Sequence, residues 1–356
     1  MLCYYVTGHG FGHAIRTTQV LKALPPDLPF ILKTTAPERL FREELPGRKF
    51  EYIPAEYDCG CLQSDSVTVL RRETLTRYSE IARANLKRLP NEIAFLRERG
   101  VRCVASDVPS FPLQAAHELG IPSVVVANFT WHDIYLEYVQ TPDDSDLLAQ
   151  MATEYALATL ACLTPLAVTT VGNLFPVSEH VPLVARRGYP IRAKVTASLG
   201  ISSSKKLALL YLGNWGLTID WQALEHLTDW AFLVDRPLTQ AAPDNVYVFD
   251  PTVLRYADIA ASVDAVVSKA GYGTLTECIA NSVPLIYLPR SGFAEHDALV
   301  LGMNKWGGAI EICEADFFAG NWCSALSAAL ATRPDPTVYP TNGAELIANR
   351  LRSFCL

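Results

Sequence analysis

Short, nearly unbroken apolar runs alternate along this chain with longer amphipathic stretches, and midway the alternation begins again. CYYV (3–6), PFILKTT (29–35), VRCVASD (101–107) and PSVVVAN (122–128) read as strands, and HAIRTTQVLKAL (13–24) and 74–99 between them read as helices. After about residue 200 come LALLYLG (207–213), WAFLVD (230–235), NVYVFD (245–250), DAVVSK (264–269) and PLIYLP (284–289), again with helical segments between. A strand without a polar face must be covered on both sides, which argues for parallel sheets flanked by helices. The expected class is therefore α/β in two halves, residues 1–190 and 205–340. A last helix, 341–356, is expected to cross back onto the first half. The join falls near ARRGYPIRAKVTASLGISSSKK (185–206), where Gly200 is expected to cap a helix and the serines to be linker.

Composition removes several partners. Half of the 356 residues are hydrophobic, the formal net charge is −7, and no Lys/Arg run forms a nucleic-acid or lipid footprint. The expected partner is a small molecule, with no nucleic acid. MLCYYVTGHG has neither the basic nor the apolar region of a signal peptide. ALATLACLTPLAV (156–168) is too short and too polar to span a bilayer. A cytoplasmic protein with no transmembrane segment is the expectation, and the nine cysteines are expected to be reduced thiols. No metal is expected: Cys59–Cys61 has no second pair nearby, and an acidic triplet such as DSD (144–146) is common by chance.

GHGFGHAIR (8–16) follows the first strand. Glycines between a strand and a helix free backbone N–H groups for an anion or ligand at the rim of a parallel sheet. The dinucleotide fingerprint G-x-G-x-x-G fails at His13, and LKTTA (32–36) lacks the acidic residue that would hold a ribose. No G-x-x-x-x-G-K-[ST] is present either. Read as G-x-G-H-x-x-R, the stretch offers Gly10, Gly12 and Arg16 to a donor molecule and sets His13 at a helix N-terminus, where imidazole is kept neutral for use as a base. Asp107 ends a strand of the same sheet. It is expected either to orient His13 or merely to cap the following helix.

The second half supplies a matching loop. The strand VVSK runs into AGYG and a helix, so Gly271, Tyr272, Gly273 and Thr274 can receive a diphosphate with Lys269 as a point charge beside them. Glu277 is open to two readings: N3 of a capping box on Thr274, or acceptor of ribose hydroxyls. GNWG offers a further backbone nest at Gly213 and Asn214. RSGFAEHD places Glu295 and His296 where a sugar's hydroxyls would lie.

Two α/β halves with facing glycine loops resemble the GT-B glycosyltransferases, two Rossmann-like domains across a cleft, over nearly the whole chain. KAGYGTLTE (269–277) is similar to the nucleotide-sugar site of the MurG-like group (family 28) and, more loosely, of the plant-type UDP-glycosyltransferases. The resemblance implies a diphosphate at Gly271, Gly273 and Thr274, a ribose at Glu277, and backbone contacts to the base near Phe249. Plant-type enzymes commonly carry a histidine before the glycine loop, where this chain has Ser268 and Lys269. GxGHxxR is similar to the motif of nucleotide-sugar hydrolases of the pseudaminic acid pathway, in which the equivalent histidine activates water. In the plant-type transferases a His–Asp pair, here His13 and Asp107, deprotonates the acceptor hydroxyl. YYVTGHGFGHAIR, DCGCLQSDSVTV (58–69), ASDVP, NFTWHDIYLEY (128–138), VPLVARR (181–187) and GYGTLTE all look like segments of the glycosyltransferase-like N-terminal region of plant L-arabinokinases; a sugar-kinase function is not carried over.

DCGCLQSD and NFTWHDIY place Asp58, Gln63, Asp65, Asn128, Trp131 and Tyr135 on the acceptor side, as polar and aromatic pocket residues or as loop and core. The implied function is inverting, metal-independent sugar transfer from a nucleotide-diphosphate sugar, a UDP-sugar, to an acceptor hydroxyl, with no cofactor beyond that substrate. The alternatives are a nucleotide-sugar hydrolase using the same histidine and a non-catalytic nucleotide-sugar-binding protein.

Overall fold

The computed structural model describes residues 1–64, 68–211, 219–235, 238, 241–289 and 294–355. The first sheet contains β1 (Leu2–Val6), β2 (Phe30–Thr34), β3 (Glu51–Pro54), β4 (Cys103–Asp107), β5 (Ser123–Ala127), β6 (Leu160–Leu163) and β7 (Ser178–His180). The second contains β8 (Lys206–Tyr211), β9 (Trp230–Val234), β10 (Val246–Val248), β11 (Ala265–Lys269), β12 (Leu285–Leu288) and β13 (Ala309–Glu311). All pairings between these strands are parallel, in the orders β3-β2-β1-β4-β5-β6-β7 and β10-β9-β8-β11-β12-β13.

The apolar runs behave as their composition requires. Successive side chains of a strand point to opposite faces. Leu2, Tyr4 and Val6 enter one core, whereas Cys3 and Tyr5 enter another on the far side of the sheet. In the second half, Leu207 and Leu209 pack on one side and Ala208 and Leu210 on the other. The strands not read from the sequence are β3, β6, β7 and β13. Three of them lie at or near sheet edges, and β6 is hidden within the apolar run 156–168.

The helix expected over 74–99 runs Arg71–Glu98 with Pro90 inside it. Proline removes one N–H, whose carbonyl partner would be Leu86. Both residues are exposed, so water can satisfy that carbonyl. On its inner face the helix is fixed by a buried cluster. Glu92 accepts from Lys33 Nζ (2.5 Å), Tyr5 Oη (2.5 Å) and Tyr57 Oη (3.1 Å), so the buried charge is paired and hydrogen-bonded.

The stretch expected as linker, 185–206, contains a helix, Arg192–Leu199, closed by Gly200 in the left-handed conformation at φ 67°. The chain crosses between the halves twice in one place. Leu183 N–H donates to the Pro340 carbonyl (2.9 Å), and Val184 pairs with Asn342. Gly343 begins the last helix, Gly343–Cys355, where an added Cβ would lie 2.0 Å from the Pro182 carbonyl oxygen. That helix lays Ile347, Ala348 and Leu351 into the first half's core beside Leu2 and Ala105.

Ile347 is fully buried there. Ile347→Ala should lower unfolding stability by about 2–5 kcal/mol. Urea denaturation followed by circular dichroism checks this; a change near zero would mean the last helix contributes little to the first half's core.

Candidate functional site

In each sheet the strand order reverses direction of growth at one point, between β1 and β4 in the first and between β8 and β11 in the second. Loops at the carboxyl ends of the two strands part there and leave a crevice. Val6 pairs in register with Asp107, and Thr7 N–H donates to the Asp107 carbonyl (2.8 Å). The loop after β1 and the end of β4 are thereby adjacent. Gly10, at φ 70°, takes the N-cap of the first helix, Phe11–Ala23, a conformation that favours glycine. His13 sits in that helix's first turn.

His13 Nδ1 lies 2.8 Å from Asp107 Oδ1. Arg16 grips the same carboxylate with both arms, Nε to Oδ2 at 2.8 Å and Nη2 to Oδ1 at 2.5 Å. Arg16 Nη2 is also 3.2 Å from His13 Nδ1. The shorter contact to the anion decides the tautomer: Nδ1–H donates to Asp107, and Nε2 is the nitrogen presented to a reactant. Asp107 is fully buried and Arg16 is 3% exposed. Burial pushes the Asp107 carboxyl up, but the charge and hydrogen bonds of Arg16 outweigh it and hold the pKa below the ordinary carboxylate range. Of the two readings of Asp107, the structure has the orienting contact. Arg16, expected to meet the donor, fixes this pair, and its remaining Nη1 donates to Asn128 Oδ1 (2.6 Å).

The acceptor-side residues gather beside His13, in roles the sequence did not separate. Asp58 is buried and accepts from Thr7 Oγ1 (2.6 Å) and Trp131 Nε1 (2.9 Å). Trp131 and Tyr135 are core residues with stacked rings, and Tyr135 Oη donates to the Gly60 carbonyl (2.7 Å), so neither presents an open face to a sugar. Phe129 and Trp131 wall the His13 ring, and His9 meets Trp131 edge-on with centroids 5.4 Å apart. His9 also accepts from Cys61 N–H (3.3 Å), a clamp on the 58–61 loop that no motif signalled. Gln63 is half-buried. Asp65 lies outside the described residues. Asp144 of the DSD triplet completes a capping box with Thr141 and pairs with Arg72.

In the second half, the helix Tyr272–Asn281 starts directly after β11, with Gly271 at its N-cap. Lys269 ends β11, and Gly271, Gly273 and Thr274 form the first turn, where backbone N–H groups have no intrahelical partner. This removes the capping-box reading of Glu277, because Thr274 is not the N-cap. Glu277 lies buried inside the helix, its Oε1 2.7 Å from Arg186 Nε and 2.6 Å from Arg186 Nη2. Arg186 also donates to Glu44 Oε1 of the first half (2.7 Å). Its position in VPLVARR gave no hint of this, since the partners lie 142 and 91 residues away. Phe249 is a core side chain whose N–H is taken by the Val234 carbonyl (2.9 Å). Gly213 and Asn214 lie outside the described residues. Glu295 and His296 stand at the start of the helix His296–Trp306.

The two loops meet. An added Cβ on Gly273 would come within 3.3 Å of Gly12 Cα. Tyr272 Oη donates to Thr164 Oγ1 (2.8 Å), and its ring lies 5.2 Å from the Arg16 guanidinium. Asn128 Nδ2 donates to Glu295 Oε1 (2.6 Å). A small pocket of about 10 Å³ lies between Gly12, Arg16, Arg186 and Gly273. A cavity of about 830 Å³ opens at the edge of the same interface, among Lys22, Glu44, Arg187 and Arg255, away from His13.

The architecture agrees with that of known proteins. The UDP-glucosyltransferase from Polygonum tinctorium superposes with a TM-score of 0.62 at 16% identity, over 99% of this chain and 92% of that one. MurG of Acinetobacter baumannii superposes with a TM-score of 0.56 at 14% identity, over 99% of each chain. This chain has the GT-B fold. In sequence, L-arabinokinase of Arabidopsis thaliana is 30% identical over 378 aligned residues, covering 100% of this chain and 34% of that protein. The chain thus spans about a third of that relative's length. No protein-family model matches the sequence. The resemblances read from the sequence, to GT-B glycosyltransferases and to L-arabinokinase, are borne out. Among the described residues, no helix is long and apolar enough to cross a membrane.

Asp58 yields a pH signature. Burial raises its carboxyl to about 6, against the pull of Thr7 and Trp131. A raised acid binds more protons folded than unfolded, so its stabilising contribution is complete below pH 4 and is lost as pH rises through 6. Asp58→Asn removes the titration. The variant should gain on the parent by up to about 3 kcal/mol between pH 4 and pH 7, at 1.36 kcal/mol per pKa unit. Parallel denaturation curves across that range check it; parallel stability profiles of the two proteins would show Asp58 titrating normally.

Proposed function

We propose that this chain is a glycosyltransferase that moves a sugar from a nucleotide-diphosphate sugar, a UDP-sugar, to an acceptor hydroxyl. The observation that carries the reading is the His13–Asp107 pair at one switch point, set against a glycine-started helix N-terminus at the other. The first can accept a proton and the second can receive a departing diphosphate. The names of the structural neighbours, a UDP-glucosyltransferase and MurG, support the donor class.

In the proposed reaction the acceptor hydroxyl gives its proton to His13 Nε2 as its oxygen attacks the anomeric carbon. Asp107 holds the imidazole by Nδ1–H and stabilises the imidazolium that forms. The bond from the anomeric carbon to the diphosphate oxygen breaks in the same step, so the configuration inverts. The leaving diphosphate is met by the N–H groups of 272–274, the positive end of their helix and Lys269. These supply the charge stabilisation that a metal ion gives elsewhere, and no cofactor is required. Glu277 has Arg186 on Oε1, and Oε2 is the oxygen proposed for the ribose.

The proposed hinge for donor entry is 185–206, between a 1–190 acceptor domain and a 205–340 donor domain. Asp58 and Asn128 would edge the acceptor pocket.

Thermal unfolding with UDP, GDP and their sugars is the direct test. A selective UDP shift is expected, equivalent to about 2.7 kcal/mol at 100 times the dissociation constant. Glu277→Ala should weaken UDP binding about tenfold or more, the scale of a hydrogen bond to a charged group. His13→Ala should keep the UDP shift and lose turnover. Release of free sugar without transfer would identify water as the acceptor. No shift with any nucleotide from a folded protein would remove the reading.

A further inference from the structure

We propose that Asn128 is a positioning residue that makes the orientation of His13 depend on closure of the two halves. Glu295 belongs to the second half; Asn128, Arg16, Asp107 and His13 belong to the first. They form one unbroken chain. Asn128 Nδ2 donates to Glu295 Oε1 (2.6 Å), and Arg16 Nη1 donates to Asn128 Oδ1 (2.6 Å). Arg16 then holds both oxygens of Asp107 (2.8 and 2.5 Å), and Asp107 Oδ1 accepts from His13 Nδ1 (2.8 Å). Glu295, Asn128, Arg16 and Asp107 are all buried.

The chemistry of the chain allows only one arrangement. The Asn128 amide stands between a carboxylate and a guanidinium. Turned over, it would set its oxygen against Glu295 and its NH₂ against Arg16, repulsive at both ends, so its sense is fixed by its neighbours. Opening the halves removes Glu295, leaves the NH₂ without its anion, and frees the amide to turn away from Arg16. Arg16 and His13 share Oδ1 of Asp107, so a shift of the guanidinium is felt at the imidazole. Buried networks of this kind are strengthened when complete and weakened throughout when one member is lost. The inference deepens the reading of His13 as the base: the base would be aligned only when the donor half is in place, which protects an open donor site from premature attack by water.

The test exchanges the polarity of the joint. Asn128→Asp keeps an acceptor for Arg16 but faces Glu295 with a second carboxylate. Adding Glu295→Gln supplies a donor to that carboxylate and restores the chain with the parent's total charge. The readout is the hydrogen-bonded Nδ1 proton of His13 in the nitrogen-15 histidine spectrum of the full chain without substrate, assigned by its absence in His13→Ala. All samples are held at one pH, because Asp107, Arg16, Asp58 and His9 also lie around the ring. The signal should be present in the parent, lost in Asn128→Asp and recovered in the double variant. Glu295→Ala, which leaves Asn128 in place, should also lose it, and serves where Asn128→Asp does not fold. An unchanged signal in Glu295→Ala, no recovery in the double variant, or no such proton in the parent would each overturn the proposal. Since the spectrum needs no sugar donor, failure of the glycosyltransferase reading would show separately, as no UDP shift and no turnover.

Discussion

The buried carboxylate of Asp107 is the point on which the site turns. A fully buried anion is tolerated only when its charge is matched and its oxygens are hydrogen-bonded. Arg16 supplies the charge with two bonds, His13 adds a third, and Thr17 Oγ1 stands 3.5 Å from Oδ2. This interaction links levels that are distant in sequence. It ties the end of β4 to the first helix, fixes that helix relative to the sheet, and aims an imidazole from its first turn. Because the pair is buried, removing Arg16 alone would strand a charge and cost roughly 3–5 kcal/mol. The site's geometry and the first half's stability are therefore not separable at this position.

Asp107 can serve in this way because parallel strand order puts it there. β1 and β4 are neighbours, although 94 residues separate His13 from Asp107. The same reversal of order in the second sheet aims the Tyr272–Asn281 helix at the first half. Glycines at Gly12 and Gly273 let the two backbones touch, where a Cβ on Gly273 would be crowded against Gly12.

Much of this was legible in the sequence, for a physical reason. Long central strands have no polar face, and glycine loops after them mark sheet rims, so the α/β halves could be read from local patterns, and Asp107 could be placed on the rim of His13 without deciding between orienting it and capping a helix. Edge strands such as β3 and β13 are short and partly exposed, and carry no such pattern. The grip of Arg16 on Asp107 was not legible, because a motif gives spacing but not which side of a helix faces a buried acid. Glu277 could not be assigned until the helix start was known: with Gly271 as N-cap it falls inside the helix and meets Arg186. Arg186, and the bond from Asn128 to Glu295 across 167 residues, exist only because two halves close on each other. No periodicity within either half encodes them.

Polar ties cross between the halves, Tyr272 to Thr164, Asn128 to Glu295, and Arg186 between Glu44 and Glu277, beside the apolar contact of Leu166 with the second half's core. Each is worth little net when formed, because its groups would otherwise be hydrated, yet each is specific in geometry. That balance suits the proposed opening of the cleft. The arrangement places the strongest interaction, Arg16 with Asp107, wholly inside the first half, and leaves the weaker ones at the seam. In the proposed opening the Arg16–Asp107 contact stays within the first half, and only the alignment of His13 would change.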